Sequence, residues 1–338
     1  MPISSTAARS HGRGAPAAAP PPALLGDSAA VRHARSLLEQ PGAAPVLLLA
    51  DEGLDTAAVA RYVHDCTRPA QPFVHVDCAT SEPDALDREL FGVRARAAAQ
   101  LETLGAAAAL VAARRGTLFL DHIGDLPAAL QRRLARVMRD GEARLAGREH
   151  VRLEARIIAS ALPALFADAR DGRFRSELLR RFVRGTVTVP PLGGRPADLP
   201  AIVARVAADL CRESGRTAPA FTPAALTMLS ALPWTGNLDE LRGMLTRALA
   251  RIDGPVVRQE DLLPAAAVDG LARRIAPAIS LREARRRFER EYIASVLEQH
   301  GWRMSDAART LGIERANLYR KTRELGIQRS APGGRRHS

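Results

Sequence analysis

The 338-residue chain carries 49 Lys or Arg against 37 Asp or Glu, a formal charge of +12, and 46% of its residues are hydrophobic. That length and apolar content exclude a small disulfide scaffold and predict two or three folding units with a sizeable core. Residues 271–338 hold 16 Arg or Lys and 7 Asp or Glu, so the excess is C-terminal. It points to a polyanionic partner, nucleic acid rather than membrane, because no strongly amphipathic anchor accompanies the charge.

Residues 1–22, rich in Ala, Pro, Ser and Arg, lack the apolar surface to offset ordering and the continuous apolar core of a signal peptide, so a disordered tail is predicted. Apolar runs then appear at Pro45–Leu49, Phe73–Val76, Thr117–Leu120, Arg156–Ala159 and Thr186–Val189, with helical stretches between most of them. This is the rhythm of a parallel sheet covered by helices, and the α/β unit is placed at 23–195. The longest apolar run, Ala106–Ala113, falls far short of the ~20 residues needed to span a bilayer. Pro190-Pro191 and Gly193-Gly194 break the pattern. A helical lid is expected at 196–263, with Asp198–Ile252 reading as entirely helical apart from turns at 214–219 and 233–236. Pro264, Gly270 and Pro277 among small residues mark a linker at 264–280.

Beyond the linker, Leu281, Ala284, Phe288, Tyr292 and Val296 recur every three or four residues, giving a helix with one apolar stripe flanked by Arg285, Arg286, Arg287 and Arg290. The stripe needs a partner, either the segment that follows or a second copy of itself. In that segment Ala307, Ala308 and Leu311 share one helical face and Gly312 stands where a left-handed residue would end the helix. Glu314–Glu324 restarts a helix with Leu318 and Leu325 inward and Arg315, Asn317, Arg320, Lys321 and Arg323 over the rest. Two short helices around a tight turn, the second basic, form the layout of a DNA-reading helix-turn-helix, predicted at 281–329 before a disordered tail at 330–338. The second helix of this motif enters the major groove N-terminus first, so Arg315 and Asn317 are candidate base readers. Arg320, Lys321 and Arg323 are candidate phosphate holders, and Ser305 is a further DNA-contact candidate. A solvated basic face packed on a small bundle is the competing reading. It does not account for the small-residue pair, turn glycine and basic helix occurring together and in order.

Cys66, Cys78 and Cys211 have no framework spacing, which predicts reduced thiols in a cytosolic protein, here expected to be nucleoid-associated. A zinc site from His64, Cys66, His75 and Cys78 is set aside, since two of them lie within or beside a predicted strand, and no metal is expected.

The segment Gly116-Thr-Leu-Phe-Leu-Asp-His-Ile-Gly-Asp-Leu-Pro127 resembles the Walker B region of the bacterial enhancer-binding activators, the NtrC-like AAA+ ATPases that act on sigma-54 RNA polymerase. Pro72–Cys78, Glu89–Gly92, Gly172–Leu178, Pro190–Leu192 and Trp234–Leu241 fall in that family's order and spacing, and the C-terminal region resembles its Fis-type DNA-binding domain. The resemblance implies an α/β AAA+-type fold, a P-loop NTPase-like parallel sheet with a helical lid, followed by an all-α Fis-type helix-turn-helix.

Matched residue by residue, the phosphate loop of that family falls on Leu49–Ala58. Its lysine position holds Thr56, the next residue is Ala57, Asp55 precedes it, and Gly53 alone remains of the glycines. A phosphate loop uses glycine N–H groups, a lysine and a Ser or Thr hydroxyl, whereas the one lysine of this chain is Lys321. Asp121 takes the Mg²⁺-coordinating position and His122 replaces the glutamate beside it. Ala161 and Leu162 replace the first sensor pair and Asp239 the second-sensor arginine, while Arg175 and Arg181 match the arginines that reach a neighbouring subunit's nucleotide. The family's sigma-54 contact loop aligns with Arg96–Leu101, which has neither its aromatic tip nor its threonine.

The expected function is a sequence-specific DNA-binding transcriptional regulator whose AAA+ body is an ATPase-inactive scaffold. Its expected partners are double-stranded DNA, a second or further copies of itself, and RNA polymerase. No cofactor is expected on this reading. ATP and Mg²⁺ enter only under the alternative, an ATP-hydrolysing sigma-54-dependent activator. A third reading is an architectural protein that bends DNA with little sequence preference.

Overall fold

The computed structural model describes residues 19–40, 42, 44–79, 82–92, 101–145, 150–252, 254–262, 264, 293, 296–297, 300–311, 315–325 and 327. They fall into two compact units, the first ending at Ala265 and the second starting at Ala266.

Five strands form the central sheet of the first unit: β1 (Val46–Leu49), β2 (Phe73–Asp77), β4 (Thr117–Asp121), β7 (Arg156–Ala161) and β8 (Thr186–Thr188). All pair in parallel in the order β2-β4-β7-β1-β8. Parallel strands buried on both faces read as unbroken apolar runs, as in the Val-Leu-Leu-Leu of β1, where every residue is buried. The covering helices are α1 (Ala29–Leu38), α2 (Thr56–Thr67), α3 (Pro83–Phe91), α4 (Ala109–Ala112), α5 (Ala128–Asp140), α6 (Leu165–Arg170) and α7 (Ser176–Phe182). The core between sheet and helices is built on Leu47, Leu118, Leu120, Phe91, Phe174 and Phe182.

A small sheet that the sequence did not announce joins β3 (Thr103–Leu104), β5 (Glu142–Leu145) and β6 (His150–Arg152). Beside it, Arg133 of α5 is buried, donates from Nε to Glu102 Oε1 at 2.7 Å, pairs with Asp87 of α3, and lies 4.0 Å over the Phe91 ring. One guanidinium thus ties α3, α5 and the start of β3 together.

The lid contains α8 (Leu199–Glu213), α9 (Pro223–Ala231) and α10 (Asn237–Leu249). It is not entirely helical as expected. Ala220–Phe221 and Val256–Val257 pair as a parallel two-stranded ribbon, β9 with β10, because Thr222 then caps α9 by accepting from the Ala225 amide at 3.3 Å and holds the preceding residues extended. Trp234 is core, its indole Nε1 donating to Leu229 O at 2.8 Å.

In the second unit, α11 (Met304–Thr310) and α12 (Arg315–Glu324) pack through Ala307, Ala308, Leu318 and Leu325 against Ile293, Val296 and Leu297. The expected inward faces of both helices are therefore the ones that are buried. Gly312, the predicted linker apart from Pro264, and most of the helix expected over Ser280–Gln299 lie outside the described residues.

Candidate functional site

The C-terminal ends of β1 and β4 and the start of α2 converge on a cleft of about 370 Å³ whose lining includes Asp51, Glu52, Leu54, His122, Asp125 and Leu162. Glycine is required at position 53. Its φ is +76°, and a Cβ there would sit 2.2 Å from Gly236 O. The lid seats on this loop directly. Asn237 Nδ2 donates to Glu52 O at 2.8 Å, Asn237 Oδ1 accepts from the Leu192 amide at 3.0 Å, and the Asp239 amide donates to Gly53 O at 3.1 Å.

A helix start presents unpaired N–H groups and a partial positive charge, which make it an anion site. At α2 that role falls to the chain itself: Asp55 is the N-cap residue and its Oδ1 accepts from the Ala58 amide at 2.8 Å. Thr56, the first residue of α2, turns its hydroxyl to Asp121 Oδ1 at 3.0 Å. Ala57 adds no polar atom.

Asp121 gathers partners from β2, β7 and the start of α2. Asp77 lies opposite it in register on β2, and His75 shares that face two residues earlier. His75 Nε2 is 3.5 Å from Asp121 Oδ2, the Ser160 hydroxyl of β7 donates to Asp121 Oδ1, and the His122 amide donates to Ser160 Oγ at 2.8 Å. His122 holds a left-handed backbone, φ +53°, and its Nδ1 stands 3.4 Å from Asp77 Oδ1 and 3.8 Å from Asp121 Oδ1. Burial pushes the Asp121 carboxyl up, but hydrogen bonds from His75, Ser160 and Thr56 and the neighbouring His122 outweigh it and hold the group at about 2. The same His75–Asp121 hydrogen bond raises the imidazole of His75 above its ordinary value. His75, Asp77 and Ser160 were not singled out from the sequence as parts of this cluster. The alternation of His75 and Asp77 along β2 was the available signal.

Arg175 is the N-cap residue of α7 and Arg181 lies in its last turn. The Arg175 amide donates to Gln131 Oε1 at 2.8 Å and its side chain is exposed, whereas Arg181 is half-buried with Nε unpartnered. Neither Ala161 nor Leu162, at the end of β7, offers a side-chain donor. Of the segment aligned with the sigma-54 contact loop, Leu101 alone is described.

The considered zinc ligands do other work. His64 Nδ1 bonds Thr117 Oγ1 at 2.9 Å, and burial pushes the Cys78 thiol up to about 12. Among the described residues no group of three or more His, Cys, Asp or Glu is arranged to hold a metal. Among the same residues no helix is long and apolar enough to cross a membrane.

In the second unit, Ser305, Arg315, Arg320 and Arg323 are exposed and Asn317 and Lys321 are half-buried. The structure joins two residues that the sequence assigned to different roles: Arg320 Nη2 donates to Asn317 Oδ1 at 2.7 Å. It also adds Tyr319, 49% exposed, with the Arg315 guanidinium 5.6 Å from its ring centre.

The sequence matches the profile of the sigma-54 interaction domain over residues 24–188, that of the AAA+ ATPase lid domain over 194–274, and that of the Fis family of bacterial regulatory proteins over 284–325. The nitrogen assimilation regulatory protein NtrX of Azorhizobium caulinodans is 31% identical over 320 residues, which cover 91% of this chain and 70% of NtrX. The chain belongs to the NtrC-like enhancer-binding family. Another of these NtrC-like relatives, the regulatory protein AtoC of Escherichia coli, is 32% identical over 84% of this chain, and the chain spans 63% of AtoC. A crystal structure of NtrX from Brucella abortus in complex with ADP superposes with a TM-score of 0.60 at 32% identity, covering 90% of this chain and 69% of that one. The order of central sheet, lid and helix-turn-helix is thus the NtrC-like order.

Proposed function

We propose that this chain is a sequence-specific DNA-binding transcriptional regulator that reads duplex DNA through α11 and α12 and keeps its AAA+ body as a scaffold that does not turn over ATP. On this reading α12 lies in the major groove. Arg315 and Asn317 face base edges, Arg320, Lys321, Arg323 and Ser305 hold phosphates, and Tyr319 stacks under Arg315 to fix its direction. Fis-type units read pseudo-palindromic sites as dimers, so a homodimer or larger assembly on two half-sites one helical turn apart is the expected active form, working in the cytoplasm beside RNA polymerase.

The observation that carries the scaffold reading is the start of α2. The carboxylate of Asp55 already occupies the N–H of Ala58 at the helix start that would face a phosphate, and Thr56 at the lysine position is turned to Asp121. Asp51, Glu52 and Asp125 add exposed negative charge to the cleft. A triphosphate would meet carboxylates with no lysine to offset them, and like charges ~4 Å apart repel by about 1–4 kcal/mol each depending on exposure. The residues present do not fit a nucleotide with its Mg²⁺.

The alternative, an ATP-hydrolysing activator of sigma-54 polymerase, is favoured by one observation, the firmly ionised Asp121. Calorimetric titration with ATP and Mg²⁺ and a phosphate-release assay decide between them. Micromolar binding with turnover overturns the scaffold reading, and equal affinity for operator and random duplexes overturns sequence-specific recognition.

A further inference from the structure

In α12 the amide of Asn317 and the guanidinium of Arg320, three residues on, form a fork. Arg320 Nη2 donates to Asn317 Oδ1 at 2.7 Å, a charge-assisted bond. The partner fixes which way the amide lies. A guanidinium has donors and no acceptor, so the carbonyl oxygen faces Arg320 and the NH2 group points away from it. Among the described residues that NH2 group donates to nothing. Leu318 is buried in the core of the second unit, Asn317 beside it is half-buried, and Arg320 is exposed. The fork therefore sits on the rim of the outer face of α12, with its oxygen engaged and its N–H groups unspent.

That arrangement limits what Asn317 can read. An unbraced asparagine favours adenine, since its oxygen accepts from N6 while its nitrogen donates to N7. Here the oxygen already holds one hydrogen bond from a cation. Its second lone pair lies beside that positive charge, where an adenine amino N–H would approach with the same polarity. What remains is a donor, and guanine alone of the four bases shows two acceptors, N7 and O6, in the major groove. We propose that Arg320 is a positioning residue for Asn317, and that the fork selects guanine over adenine at one base pair of each half-site. This rests on the reading that α12 enters the major groove with Asn317 at the base edges. Arg320 keeps further N–H groups with which to hold a phosphate as well.

The test is selection of duplexes from a randomised pool by the full-length protein, followed by competition titrations at the selected site. The base pair concerned is the one whose preference Asn317→Ala abolishes. There the wild type is expected to favour guanine over adenine by roughly tenfold. Arg320→Ala is expected to weaken binding to every duplex and, in addition, to let adenine compete with guanine at that base pair, because Oδ1 is released. Arg320→Lys, which keeps a donor and the charge, is expected to retain guanine. Asn317→Asp, which turns an acceptor to the groove, is expected to move the preference to cytosine, whose N4 donates. A merely structural role for Arg320 would lower affinity and leave the base preference where it was. Guanine retained by Arg320→Ala overturns the proposal, as does an Asn317→Ala variant with unchanged preferences. If the wild type selects a site but prefers a base other than guanine there, the proposal falls alone. If it selects no sequence at all, the proposal falls together with the sequence-specific reading.

Discussion

Thr56 Oγ1 donates to Asp121 Oδ1 across 3.0 Å, so the first residue of α2 is fastened to the last residue of β4. Restoring the missing cation at this point does not by itself rebuild a phosphate site, because Asp55 still caps the helix. Titration with a fluorescent ATP analogue is expected to show no binding for Thr56→Lys and measurable binding for Asp55→Gly combined with Thr56→Lys. Asp55→Ala alone is expected to remove about 1 kcal/mol of stability, a fall of roughly 2–4 °C in Tm by scanning calorimetry for a unit of this size.

The His75–Asp121 pair makes stability depend on pH on both sides. The raised His75 contributes stability that is full below its unfolded value near 6.5 and is lost as the pH climbs through the folded value. The lowered Asp121 contributes stability that is present above its unfolded value of 3.8 and is lost as the pH falls toward about 2. Thermal unfolding followed between those limits is expected to give a plateau that slopes down on the alkaline side. His75→Gln is expected to flatten that slope, and an unchanged profile would dissociate His75 from it.

Arg133 is the buried cation whose removal is expected to cost most. With it gone, Glu102 and Asp87 keep their charges without their main partner, and breaking a buried pair from one side costs about 3–5 kcal/mol. Denaturant unfolding of Arg133→Met is expected to show a loss of that order, and a loss below ~1 kcal/mol would show that water already reaches the pair.

For DNA, Arg320→Ala and Lys321→Ala are each expected to weaken binding to all duplexes and to lower the slope of log affinity against log salt by about one. Arg315→Ala and Asn317→Ala are expected to cost about 1–3 kcal/mol on the operator alone. The 2.7 Å bond from Arg320 to Asn317 predicts that the corresponding double variant is non-additive. Filter binding across a salt series measures both quantities.

Much of the fold was legible because it rests on uninterrupted apolar runs. Val46–Leu49 and Leu118–Leu120 are buried on both sheet faces, and Leu318 and Leu325 mark the inner side of α12. The two-residue strands β3, β9 and β10 were not legible, since alternation needs more residues than they contain. At the cleft, the sequence placed Thr56 and Asp121 by spacing, but the partnership of His75, Asp77 and Ser160 with Asp121 depends on strand order, which brings residues 38 or more positions apart into one cluster. The Arg320–Asn317 bond escaped for a simpler reason. Residues three apart on a helix are neighbours, so one side chain can both face DNA and bond its neighbour, and spacing alone does not say which.

The seat of α10 on the loop after β1 sets how the first unit can move. Swinging the two apart would break the Asn237–Glu52 and Asp239–Gly53 hydrogen bonds and vacate the crowded approach of Gly236 to Gly53. At about 0.5–1.5 kcal/mol for each hydrogen bond, and with desolvation of the uncovered backbone added, only a small minority of molecules are parted at any moment. The joint is therefore expected to act as a strut rather than a hinge, so that a push delivered at one end arrives at the other as displacement of a whole beam.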